Sequence, residues 1–365
     1  VTDKSERQSP TNKCLITVAK FTISFVILGY LFYQAREHEQ FAVLAESDKR
    51  VGWIALAVVT GFIACASAFV RWHLLVISIG LKFRLSDAIR LGFLGHLFNL
   101  MSFGVLGGDA IKSLFVAKQM PGKRAEAIAT VFADRLVGLV AMFLFAGIGY
   151  VLADFSSLES TNPAALASIQ LLCQICLAVA VAALAGLLTL TVFRTWQQWW
   201  LVRRLIALPR IGPLIHRLVN VITIYQRRQG VLFSAILISL LSNILFSVTI
   251  YSVARGISDT YPSLVSHLVI SPIALVANAV PLPGGLGGME FALDFLYRGF
   301  SQAELPSEHG FVVALGLRVI LLLVAAVGIF VYLSRKSEID HLEEVAHDRA
   351  ESERGRSGDR VELSG

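Results

Sequence analysis

Asp109 and Glu290 close two near-identical glycine turns far apart in the chain, and both carboxylates lie within apolar surroundings. The first turn reads Gly104-Val105-Leu106-Gly107-Gly108-Asp109 and the second Gly284-Gly285-Leu286-Gly287-Gly288-Met289-Glu290. An asparagine precedes each turn, Asn99 and Asn278, and an arginine follows each acid, Arg135 after 26 positions and Arg318 after 28. Arg71, Lys112, Asp134, Asp294 and Arg298 complete a set of nine ionisable residues inside apolar runs. A charge at the centre of a membrane helix costs about 2.5–3.5 kcal/mol, so these groups must pair, face water or lie near an interface.

Two kinds of chemistry fit this pattern. Glycine turns and helix N-termini present backbone N–H groups, and these together with Lys112, Arg135 and Arg318 would receive an anionic head group. Alternatively, Asp109 and Glu290 cap the helices that follow them, while the two arginines neutralise the acids and lock the turns in place. The readings are compatible, because an arginine can bridge a carboxylate and a phosphate. The candidate set for head-group binding or coupling is Asn99, Gly107, Gly108, Asp109, Lys112, Asp134, Arg135, Asn278, Gly284, Gly285, Gly287, Glu290 and Arg318. Within it, Asp109 and Glu290 would position arginines or carry a coupling proton. Arg71, next to Trp72 near one end of its apolar run, is expected to snorkel to the interface. His96 shares a helix face with Asn99, but no histidine stands at the same offset before Asn278, so it reads as a packed or hydrogen-bonded residue rather than a proton relay.

Other chemistries fit poorly. Neither glycine turn has the Gly-Lys-Ser/Thr ending of a nucleotide loop or a strand before it. Cys14, Cys65, Cys173 and Cys176 fall inside apolar segments, with no His, Asp or Glu at ligand spacing beside the Cys-x-x-Cys pair, so they read as packing residues. No metal or cofactor is expected. The net charge of +6 comes from Lys and Arg in short loops between apolar runs, which points to anionic lipid and not to nucleic acid.

The elements that must position these residues are hydrophobic helices. With 55% hydrophobic and 16% charged residues and a mean hydropathy of +0.68, the 365-residue chain reads as an all-α polytopic membrane protein. About 20 apolar residues cross a bilayer, and six segments reach that length: 14–34, 51–79, 127–151, 164–193, 231–254 and 311–333. The first imitates a signal peptide but lacks a small-x-small cleavage site, so an uncleaved helix is expected. Two further regions, 87–118 and 263–300, are split by the glycine turns into short halves that suit re-entrant hairpins.

Lys and Arg counting places both termini in the cytoplasm. The loop holding Lys82 and Arg84, the pair Lys123 and Arg124, the Arg-rich segment 194–230 and the pair Arg335 and Lys336 then share one side. The mixed loop 35–50 fits this arrangement least well. The result is a short segment 1–13, a transmembrane domain 14–333 and a charged tail 334–365. Inside the domain, repeat one (14–151) and repeat two (164–333) share one plan of two crossings, a hairpin and a crossing, and three crossings invert the second relative to the first. Segment 194–230, with Trp196, Trp199 and Trp200 at its start, reads as an interfacial basic connector.

The residues resemble the lysylphosphatidylglycerol synthase transmembrane-region family, which includes the flippase half of the multiple peptide resistance factor. Arg71-Trp72, Phe98-Asn99, Gly107-Gly108-Asp109 with Lys112, Asp134-Arg135 with Gly138, and Pro283-Gly284-Gly285-Leu286-Gly287 with Glu290 carry the resemblance, over residues 14–333. Two features depart from the pattern: no proline stands shortly before Gly104, and Lys112 replaces an arginine, which removes a bidentate fork but keeps a cation for phosphate. The resemblance implies a stand-alone flippase-like member of a bacterial inner membrane, without an aminoacyl-transferase domain and not an enzyme. Its partners would be membrane lipids, anionic ones such as phosphatidylglycerol first, and homo-oligomerisation stays open. The competing expectations are a transporter or binder of a polyprenyl-phosphate or hopanoid-type lipid, and a non-transporting membrane assembly factor.

Overall fold

The computed structural model describes residues 48–101, 106–119, 123–153, 155, 163–192, 200–208, 228–278, 288–300 and 309–334, with isolated positions between 212 and 226. Every regular element among them is a helix. In chain order these are α1 (Asp48–Ser78), α2 (Leu85–Met101), α3 (Leu106–Gln119), α4 (Arg124–Leu152), α5 (Pro163–Val192), α6 (Trp200–Ile206), α7 (Gln229–Ile257), α8 (Leu264–Asn278), α9 (Gly288–Phe300) and α10 (His309–Ser334).

Five of the helices, α1, α4, α5, α7 and α10, are long and apolar enough to cross a membrane. They correspond to five of the six expected crossings; the sixth, 14–34, lies outside the described residues, as do the tail 335–365 and the turn residues 102–105 and 279–287. Lipid offers no partner for backbone N–H and C=O groups, so long apolar runs close their hydrogen bonds internally as helices. Large apolar side chains point away from the bundle, with Val51, Phe233, Phe291 and Phe330 all more than half exposed. The two broken regions form helix pairs α2/α3 and α8/α9 of 17, 14, 15 and 13 residues. At 1.5 Å per residue these reach about 20–26 Å, short of the roughly 30 Å hydrocarbon core.

The packing has an internal regularity. α1 lies along α7; α2 packs on α3 and on α10; α8 packs on α9 and on α4; α3 rests on α4 and α9 on α10. Exchanging α1–α4 for α7–α10 in order maps these principal contacts onto themselves, including α1–α4 onto α7–α10, α1–α2 onto α7–α8, and α4–α7 onto α10–α1. The two cross-contacts are close backbone approaches: a Cβ on Gly149 of α4 would stand 2.9 Å from the Leu268 carbonyl of α8, and one on Gly328 of α10 would stand 2.5 Å from that of Phe93 in α2. Small residues let membrane helices approach this closely.

Hydroxyl groups join the central pair. Thr60 and Thr249 share a 2.9 Å hydrogen bond, and the Ser67 and Ser242 hydroxyls bond in the same seam. Of the connector 194–230 the structure describes α6 and isolated residues, among them Tyr225, which is buried and donates to the Leu75 carbonyl at 3.0 Å. Burial raises its phenol above the ordinary range. The connector is therefore tied into the bundle at the end of α1.

Candidate functional site

Asp109 lies in the first turn of α3 and Glu290 in the first turn of α9, each directly beyond its glycine turn. A carboxylate there faces the positive end of the helix dipole. Arg135 of α4 grips Asp109 through two bonds: Nη2 donates to Oδ1 at 2.8 Å and Nε donates to Oδ2. Arg318 of α10 donates to Glu290 Oε1 through Nε at 3.1 Å and also through Nη2. Each pair thus ties the second half of a broken hairpin to the long helix that follows it. The environments differ: Arg135 is 40% exposed and Asp109 14%, whereas Arg318 and Glu290 are each 5% exposed.

Asn99 and Gly108 form the staple of the first hairpin. The Gly108 N–H donates to Asn99 Oδ1 at 2.7 Å, bonding the start of α3 back to the end of α2. A Cβ on Gly108 would stand 1.9 Å from the Gly95 carbonyl oxygen, so only glycine permits this approach. Gly107 also lies in the first turn of α3, while Asn278 ends α8. Gly284, Gly285 and Gly287 are outside the described residues.

Lys112 of α3 is buried, with its ammonium 5.3 Å from the Trp72 ring centre and 5.7 Å from that of Phe69. Aromatic faces attract a cation but do not neutralise it. The Trp72 indole is held in turn, donating to Thr130 Oγ1 at 3.3 Å.

Arg71 does not snorkel. Its side chain is 10% exposed and its Nε donates to Asp134 Oδ1 at 2.6 Å, while Nη1 donates to Ser239 Oγ of α7 at 2.8 Å. A guanidinium with two polar partners inside the bundle has no need to reach the interface, and that overturns the expectation. Gly138, one turn after Asp134, makes room, since a Cβ there would lie 3.3 Å from the guanidinium nitrogens. Asp134 and Arg135 are sequence neighbours that serve different partners: successive helical residues point about 100° apart, so Asp134 meets α1 while Arg135 meets α3. The first group therefore joins Asp109, Lys112, Asp134 and Arg135 with Arg71 and Ser239, and holds three cations against two carboxylates. Sequence reasoning missed Ser239; its signal is the run of Ser239, Ser242, Asn243, Ser247, Thr249 and Ser252 in an otherwise apolar helix.

His, Cys, Asp and Glu side chains form no cluster suited to a metal ion among the described residues. Comparison with curated proteins gives no match. The profile of the family described as the lysylphosphatidylglycerol synthase TM region matches residues 17–329, which include every helix described except the last few residues of α10. A match over so much of the chain, on a frame of broken hairpins and long apolar helices, settles the assignment: the chain belongs to the lysylphosphatidylglycerol synthase TM region family.

Proposed function

We propose that the protein is a lipid translocase, which moves an anionic or amphipathic lipid between leaflets along two inverted units, without ATP hydrolysis. The observation that carries this reading is the duplicated carboxylate–arginine pair, Asp109–Arg135 and Glu290–Arg318, at the two points where a broken hairpin meets a long helix. Broken helices near the midplane are where membrane transporters place their substrates. The exchange-symmetric packing supports the two-unit plan, and three crossings in each unit, as the sequence reads, would make the units inverted.

The chemistry follows from the arginine fork. A guanidinium bound to a carboxylate through two parallel N–H groups can trade that partner for a phosphate of the same geometry. Arg135, partly exposed, is the residue an arriving phosphate meets first, and Lys112 adds the cation that the two carboxylates of its group leave unbalanced. Arg318 takes the same role when its own surroundings open. Phosphatidylglycerol suits such a site, and movement is downhill or driven by an ion gradient. On this reading the protein works in a bacterial inner membrane with both termini cytoplasmic.

Leaflet exchange of fluorescent phosphatidylglycerol in proteoliposomes, read by dithionite quenching, tests this. Wild-type protein should exchange the lipid, and Arg135→Gln and Arg318→Gln should each slow it at least tenfold while remaining monodisperse in detergent. Full activity in both variants would sink the site assignment. Absence of exchange with anionic and neutral lipids alike would favour an assembly role.

A further inference from the structure

We propose that His267 is a proton-binding site, loaded from one end of the bundle through His309 and Tyr297 and transmitted to the α8/α9 hairpin. The role in driving lipid movement rests on the translocase reading; the site itself does not.

His267 is fully buried near the start of α8. Its Nδ1 lies 2.8 Å from the Ser263 carbonyl oxygen, which can only accept, so Nδ1 carries the hydrogen. Its Nε2, 2.7 Å from the Tyr297 hydroxyl of α9, is then the acceptor in the neutral ring, and Tyr297 donates. Beyond Tyr297 stands His309, the first residue of α10, with ring centres 6.1 Å apart. His309 is 6% exposed, and its Nε2 finds no hydrogen-bond partner among the described residues. The Ser271 hydroxyl, one turn after His267 on α8, and that of Ser252 on α7 are likewise buried without a partner there. Buried polar atoms are costly unless they find partners or water, so this cluster is more polar than packing alone requires.

The chain supplies its own comparison. His267 stands eleven residues before Asn278 and Tyr297 seven after Glu290; the same offsets from Asn99 and Asp109 fall on Ala88 and Val116. Ala88 and Val116 are both buried in one apolar cluster that draws on α1, α2, α3 and α4. The first hairpin therefore has apolar residues at these two positions, and the second carries a hydrogen-bonded His–Tyr pair instead.

The proton balance is simple. An imidazolium at His309 gives its Nε2 proton to the Tyr297 oxygen through a bridging water, as the Tyr297 hydroxyl proton moves to His267 Nε2. His309 returns to neutral, Tyr297 remains a neutral phenol and His267 becomes an imidazolium. Its Nε2 then donates where it had accepted, so Tyr297 must turn its own hydrogen elsewhere, and Tyr297 shares α9 with Glu290. The groups around His267 are Tyr251 from α7, at 5.4 Å between ring centres, Tyr297 from α9 and His309 from α10; Arg255 sits against Tyr251, Trp53 and Tyr261, and Asp294 pairs with Arg298 on α9. α4, which also packs on α8, meets it through Gly149.

Proton uptake by full-length protein in weakly buffered detergent micelles, followed with a pH-sensitive dye after an acid pulse, reads the site directly. Uptake by wild type should exceed that of His267→Gln, and its rate should fall at least tenfold in Tyr297→Phe, which keeps the ring, and in His309→Gln. Equal uptake by wild type and His267→Gln overturns the proposal, and so does an unchanged rate in both other variants. Lipid exchange in phosphatidylethanolamine/phosphatidylglycerol vesicles at equal pH is the separate readout: proton uptake without exchange leaves this site standing and removes the translocase reading, while exchange without proton uptake does the reverse.

Discussion

Replacing Asp134 by Asn should destabilise the protein strongly. Asp134 and Arg71 are each about 10% exposed and 2.6 Å apart, and Arg71 makes a second polar contact to Ser239. Asparagine keeps the shape and removes the charge, so the Arg71 guanidinium is left buried with a hydroxyl as its remaining charge-stabilising partner. Removing one member of such a pair costs about 3–5 kcal/mol, and the surviving Ser239 bond, worth about 1 kcal/mol, puts the expectation near the lower end. Arg71→Met should be costly by itself, yet the double variant should lie well above the sum of the two losses in stability, because it leaves no orphaned charge. A coupling of about 2–3 kcal/mol follows from the magnitudes of interacting sites. The assay is an SDS titration in mixed micelles, read by circular dichroism, on wild type, both singles and the double. Asp259→Asn is the control: Asp259 is 92% exposed in its pair with Arg50, and an exposed pair contributes less than about 1 kcal/mol. An Asp134→Asn cost no larger than that of the control, or strict additivity in the double, would refute a buried structural pair at this position.

Gly108→Ala should cost at least about 1–3 kcal/mol from overpacking, because the new methyl meets a backbone oxygen at 1.9 Å that no rotamer change can move. Gly95→Ala, whose methyl first meets the flexible Lys112 Cε at 2.8 Å, should cost less in the same titration. Lys112→Met should fold as well as wild type, since an unbranched apolar chain fits between Phe69 and Trp72. In the dithionite assay it should lose the preference for phosphatidylglycerol over phosphatidylethanolamine; a retained preference would remove Lys112 from the head-group site.

Much of the frame is legible in the sequence because lipid makes the code simple. An apolar run of sufficient length becomes a helix, and a glycine turn splits it, which is why five membrane-length helices and two pairs of shorter ones appear where the hydrophobic runs place them. The Asp109–Arg135 and Glu290–Arg318 pairs were legible for a related reason: similar offsets after similar turns put acid and base at equivalent points of two similar units. The fate of Arg71 was not. Whether a lone arginine snorkels or turns inward depends on what the neighbouring helices offer, and Asp134 and Ser239 are 63 and 168 residues away in sequence. The separate partners of Asp134 and Arg135 were not legible either, since proximity along a helix says little about which face a side chain takes. His267 and Tyr297 carried no motif at all; only counting from the two asparagines and the two acids shows that they replace an apolar pair.

The two carboxylate–arginine pairs have the same connectivity but different surroundings, and that difference bears on mechanism. Releasing a partly exposed pair costs little, because water screens both charges and replaces the lost contact; releasing one that is 5% exposed on both sides strands two charges in the interior. On the proposed reading, Arg135 therefore gives up Asp109 to a phosphate more readily than Arg318 gives up Glu290. Other side chains also differ between the two halves. Lys112 is one, with a buried ammonium in the first half where the second carries Ala292 or Leu293 at the nearest offsets. The His267–Tyr297 bond is another, at offsets where the first half has the buried apolar residues Ala88 and Val116. On the two proposals an anion meets Lys112 in the first half and a proton meets His267 in the second, and a ligand shifts a conformational equilibrium only through contacts it makes in one state and not the other.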